Sequence, residues 1–189
     1  MKKNLLNPFE NYSEKQLLSI GFIGNIILIF LSFQFNTKFI GNLKSIPLNE
    51  IDFKNVIFQH FIILTISTIL FFGLGKYLNS KTRFIDIFAT CFVSRIVFCI
   101  IPMLNYNNKM YYITKRVISS LTTINPEKAM ENDLPVLLLI SMLILISIVW
   151  FFILLYNGFK TSTNAKGLKS IILFIATTII IEILTRTLI

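Results

Sequence analysis

Residues 134–157 read LPVLLLISMLILISIVWFFILLYN. No residue in this run is charged, and only Ser141 and Ser147 bring polar side chains before Trp150. A helix rises 1.5 Å per residue, so about 20 residues cross a hydrocarbon layer about 30 Å thick. The run is therefore long enough to span a membrane. Its neighbours repeat the pattern. Apolar blocks at about 17–35, 56–75, 84–105 and 171–189 are each of spanning length. The expected fold is all-α: one polytopic membrane domain over 1–189, a bundle of five transmembrane helices. Span four has so few polar side chains that it is expected to face lipid, with Trp150 and Tyr156 near an interface.

Composition agrees. The 189 residues are 54% hydrophobic and 14% charged, with 19 Phe and mean hydropathy +0.73. Soluble domains carry about 25% charged residues. The balance excludes a cytosolic enzyme, a disordered chain and a nucleic-acid binder. The net charge of +9 falls mainly in short segments between the blocks, where it reads as topology and contact with anionic lipid headgroups. Lys2 and Lys3 mimic a signal peptide, but Asn7, Glu10, Asn11 and Glu14 separate them from the first block, which reads as a retained helix. Ser13 to Gln16 fits a capping box that starts it. Cys91 and Cys99 lie about 12 Å apart along one helix, too far for a disulfide, and read as buried apolar residues.

Lys and Arg in short loops set orientation. Segments 1–16, 76–83 and 158–169 hold nine in 36 residues, against seven in 48 for 36–55 and 106–133. The expectation is a cell-membrane protein with its N-terminus cytoplasmic and its C-terminus outside. In loop 106–133, Met110, Ile113, Val117, Leu121 and Ile124 recur every three or four residues. They read as an amphipathic helix lying in the interface, with Tyr111 and Tyr112 at headgroup level. An ordinary polar loop is the alternative. Asn125-Pro126-Glu127 looks like the start of another helix.

Ionisable residues inside a span cost about 2.5–3.5 kcal/mol each on insertion scales. Arg95 and Glu182 each lie eleven residues into their spans, at similar depth if both enter from one side. They are expected to pair across helices. Arg186, four residues after Glu182, is a second partner on the same face. Thr178, Glu182, Thr185 and Arg186 form a stripe expected to face the interior. His60, the one histidine, stands beside Gln59 in span two as an interhelical hydrogen-bonding residue, or as part of a proton relay. Arg95, Glu182, Arg186 and His60 are thus the candidate polar centre, structural or transporting. Asp86 suits the N-terminal end of span three. Gly21, Asn25 and Ser32 mark a close-packing face of span one. The sequence has no HExxH, no Gly-x-Ser-x-Gly and no P-loop, so no enzyme, cofactor or metal is expected.

Two stretches resemble the bacterial form of the Yip (Ypt-interacting protein) family. One runs from Gly75-Lys76 through Phe84-Ile85-Asp86-Ile87, Thr90 and Arg95 to Pro102. The other runs from Trp150 through Leu155-Tyr156-Asn157-Gly158-Phe159 and Thr161-Ser162-Thr163-Asn164-Ala165-Lys166 to Lys169, with Asn7-Pro8-Phe9 near the start. The resemblance implies a five-helix bundle with a cytosolic N-terminus. The long N-terminal region and the Tyr-Gly-Pro-Phe-Trp and Gly-Tyr-Ser stretches of eukaryotic members are absent, so their GTPase role does not carry over. The functional expectation is a non-enzymatic scaffold, accessory or membrane-organising protein. Its partners would be membrane lipids and a membrane-protein partner or second copy, not nucleic acid. The rival is a small transporter or channel using the polar centre.

Overall fold

The computed structural model describes residues 6–122 and 127–189, and side chains outside 120–132. Lys2, Lys3, Ile124 and the Asn125-Pro126 start lie outside the described residues, and so does the side chain of Leu121. Helix α1 spans Glu14–Gln34 and α2 Phe53–Leu78; α3 covers Phe84–Arg95 and α4 Ile100–Met103, joined by a 3-10 turn at Ile96–Cys99. Then come α5 at Lys109–Thr122, α6 at Glu127–Thr163 and α7 at Leu168–Leu188. Among the described residues five helical stretches are long and apolar enough to cross a membrane: Glu14–Gln34, Phe53–Leu78, Phe84–Met103, Asp133–Thr163 and Leu168–Leu188. The chain is an all-α membrane bundle, and each expected span matches one of these stretches.

Local chemistry explains the helix ends. Gln16 N–H donates to Ser13 Oγ, and Ser13 N–H donates back to Gln16 Oε1 at 2.9 Å, closing the expected capping box. Arg83 donates to Asp86 at 2.9 Å and to Glu14 at 2.8 Å, which sets the starts of α1 and α3 at one level. These carboxylates hold the Arg83 guanidinium above its usual pKa, its hydrogen bond to Asp86 first. Span three tightens into 3-10 geometry just before Pro102, which lacks an N–H and crowds the carbonyl four residues earlier.

Span three is the bundle's axis, with 61% of its most apolar stretch buried, against 17% for α6. The expectation that span four faces lipid matches that exposure. The helix runs on to Thr163, however, not to Asn157. Trp150 therefore lies about 20 Å from its end and is half-buried. The face of α1 marked by Gly21, Asn25 and Ser32 is buried. A Cβ on Gly24 would stand 2.4 Å from Ile96 Cγ1, so only glycine allows this approach of α1 to span three. Asn25 Nδ2 donates to the Phe92 carbonyl at 2.9 Å across the same seam. Phe71, Phe159 and Phe174 close the other half of the core, with ring centres 5.2–5.7 Å apart.

The main departure from expectation is residues 36–48. They are not an outer loop. Strands β1 (Thr37–Phe39) and β2 (Ser45–Pro47) pair antiparallel, Lys38 opposite Ile46, and the hairpin folds back into the bundle. Asn42 reaches Ser67, fourteen residues into α2, about 21 Å along a helix of about 39 Å. Irregular backbone is tolerated at membrane depth only where protein or a water-filled cavity satisfies it. Here the helices supply the partners.

Candidate functional site

The site is the meeting of the hairpin tip with α2, α3 and α7. Arg95 is the last residue of α3 before the 3-10 turn and is only 1% exposed. One of its terminal nitrogens donates to Asn42 Oδ1 at 2.7 Å. The other is 3.1 Å from His60 Nδ1. Its charge also stands 6.0 Å from the centre of the Phe39 ring, within cation–π range. Nε has no partner. Asn42 Nδ2 donates to Ser67 Oγ at 2.9 Å, and Ser67 donates to the Ile63 carbonyl at 2.6 Å.

These directions fix the histidine. Ser32 gives its proton to the Leu28 carbonyl at 2.7 Å, so its oxygen accepts from His60 Nε2 at 3.2 Å. Nδ1 is then the acceptor for Arg95, and the ring is the neutral Nε2–H tautomer. A serine beside a histidine has the spacing of a nucleophile and its base. Here the nitrogen facing the serine carries the proton, and both side chains are buried. The contact is a structural hydrogen bond.

Glu182 does not pair with Arg95, correcting the expected ion pair. Its Oε2 accepts from Leu43 N–H at 3.1 Å, and its Oε1 accepts from Arg186 Nε at 2.9 Å. Among the described residues no carboxylate lies within 4 Å of Arg95. The physical reason is the hairpin. Arg95 holds Asn42 and Glu182 holds Leu43, adjacent residues of one tip. Similar depth was a sound expectation; contact did not follow from it. Gly41 lies against the carboxylate, where an added Cβ would stand 2.6 Å from Glu182 Oε1. The stripe on α7 turns inward through Thr178, Glu182 and Thr185, while the Arg186 side chain stays 47% exposed.

The structure thus joins His60 directly to Arg95, and Glu182 to Arg186, and links the two pairs through the hairpin. Asn42, Ser67 and Gln59 complete the centre and were not expected in it. Gln59 Oε1 accepts from Phe39 N–H at 3.0 Å, satisfying β1 where an edge strand lacks a partner. The Gly41-Asn42 turn between Phe39-Ile40 and Leu43 was the available signal, a polar turn flanked by apolar residues. The cavity beside Arg95 is about 10 Å³ and is lined by Asn42, Ser67, Cys91, Ser94 and Phe151 among others, room for about one water. Both cysteines are free. Among the described residues no group of three His, Cys, Asp or Glu could hold a metal. The chain matches no protein-family model, no curated protein and no solved structure.

Proposed function

We infer that this is a non-enzymatic multi-pass protein of the cell membrane, N-terminus cytoplasmic and C-terminus outside, which acts by association as a scaffold, accessory or membrane-organising element. The bacterial Yip family is the resemblance that fits this reading. One observation carries it: the polar centre is committed to holding the hairpin. Arg95, Glu182 and Gln59 each satisfy a hairpin group, and the cavity beside Arg95 is about 10 Å³, too small for a solute. Buried polar groups used in this way fix a packing.

Purification of the tagged full chain from its native membrane tests the reading. A membrane protein recovered in fixed ratio, or a stable homo-oligomer, is the expected result. A monomer without a partner that catalyses solute flux in proteoliposomes contradicts it. A reporter fused after Ile189 is expected outside the cell; a cytoplasmic signal overturns the orientation. The transport reading keeps one observation in its favour. A depression of about 330 Å³ lined by Lys38, Asp52 and Gln59 opens beside the hairpin, whose tip covers Arg95, a cation with no carboxylate within 4 Å among the described residues. Flux that rises when Asn42→Ala loosens the tip would support transport over association.

A further inference from the structure

We propose that the cavity beside Arg95 binds one chloride ion, the counter-charge of its buried guanidinium. Arginine keeps its charge in any protein setting, and this one is 1% exposed. Its partners are neutral: Asn42 Oδ1, His60 Nδ1 and the face of the Phe39 ring. Its Nε–H is buried and has no partner among the described residues. Buried charges are as a rule paired with an opposite charge, because their loss of water is otherwise uncompensated. The polar centre does not supply one. It contains two cations, Arg95 and Arg186, and one carboxylate, Glu182, which is already held by Arg186 and the Leu43 N–H. One positive charge is left over, and Arg95 is the more deeply buried of the two cations.

The cavity suits an anion by its walls and its size. Arg95 is itself a wall, together with Asn42, Cys91, Ser94, Phe71 and Phe151 among others, and no carboxylate of the described residues lines it. Asn42 Nδ2 spends one N–H on Ser67 and carries a second, and the Cys91 thiol is a further, weak donor. Aromatic rings carry positive charge at their edges, so Phe71 and Phe151 are compatible with an anion between them. The centre of a water-sized sphere has about 10 Å³ in which to move. That room admits a monatomic ion slightly larger than water and excludes polyatomic anions such as phosphate or sulfate. A water molecule would take the Nε hydrogen bond but would leave the charge unbalanced. The bound ion is a fixed part of the packing, so the site stands or falls separately from the association reading.

Thermal unfolding of the purified full chain in detergent, followed by the emission of Trp150, the one tryptophan, tests the proposal in sodium chloride against sodium gluconate of equal ionic strength. A ligand that binds only the folded state raises its melting temperature. Wild type should melt about 3–6 °C higher once chloride reaches about ten times its Kd, and the gain should then grow with the logarithm of chloride. Asn42→Asp sets a carboxylate against Arg95 and should lose the gain. Ser94→Asp supplies the carboxylate from another wall of the cavity, should Asn42→Asp fail to fold. Salts also act on the whole protein surface, so the reading is the difference between wild type and variant. No gain in wild type, or an equal gain in wild type and variant, overturns the proposal. In crystals of the wild-type chain grown in bromide, anomalous scattering should peak beside Arg95; the absence of a peak there overturns it as well.

Discussion

Replacing Asn42 with alanine isolates the contact on which the hairpin depends. The substitution removes the acceptor for one Arg95 nitrogen, a charge-assisted hydrogen bond 2.7 Å long. Such bonds contribute about 1.5–3 kcal/mol. It also removes the donor to Ser67, a neutral bond of about 0.5–1.5 kcal/mol. The expected loss is about 2–4 kcal/mol. For a chain of this size each kcal/mol moves the melting temperature by about 2–4 °C, so Asn42→Ala should melt roughly 4–16 °C lower. The chain carries its own reporter, since Cys91 is buried and Cys99 partly so in span three. A thiol-reactive fluorogenic dye lights up as the bundle opens. Asn49→Ala is the control, because Asn49 is exposed and exposed positions shift stability by no more than about 0.5 kcal/mol. Asn42→Asp keeps an acceptor and gives Arg95 a counter-charge, so it should melt above Asn42→Ala. If Asn42→Ala melts with wild type, or Asn42→Asp is the weaker of the two, Arg95 does not hold the hairpin and the reasoning fails.

Other perturbations follow from the same contacts. Arg95→Glu and Glu182→Arg should each destabilise, and the double mutant should not recover, because the two groups hold different hairpin residues. Recovery in the same thermal assay would restore the direct ion pair. Gly24→Val forces a side chain to within 2.4 Å of Ile96, and overpacking of this kind costs about 1–3 kcal/mol; an unshifted melting curve would show that α1 and span three can part. Ile113 is buried by α5 against the bundle, so Ile113→Lys should free α5, read as faster hydrogen exchange over 109–119 alone. Exchange unchanged from wild type would mean that Ile113 does not dock the helix.

The spans were legible because a bilayer demands long apolar runs, and each of the five marks itself locally. The capping box at Ser13 and the exposed face of α6 were legible for the same reason. The hairpin was not. Its strands are three residues each, too short for an alternation to register, and its partners Gln59, Ser67, Arg95 and Glu182 come from three different helices. Residues 36–48 read as part of the loop 36–55 because they stand between two apolar blocks. The buried charges were the clue to something at that depth. Arg95 and Glu182 both needed partners, and a backbone tip carrying one carboxamide and free N–H groups serves both. The similar depth of the two residues was correct, while their pairing was not, because depth leaves open what lies between.

Accessibility of the hairpin tip tests the central claim most directly. In a Cys91→Ser, Cys99→Ser background, single cysteines at Leu43, whose bond to Glu182 is made by its backbone N–H, and at Asn49 are challenged with a membrane-impermeant maleimide in sealed, right-side-out vesicles and again in open membranes. A tip folded into the bundle protects position 43 in both preparations, while position 49 labels readily. Labelling at 43 as fast as at 49 would place the hairpin in solvent and contradict the account.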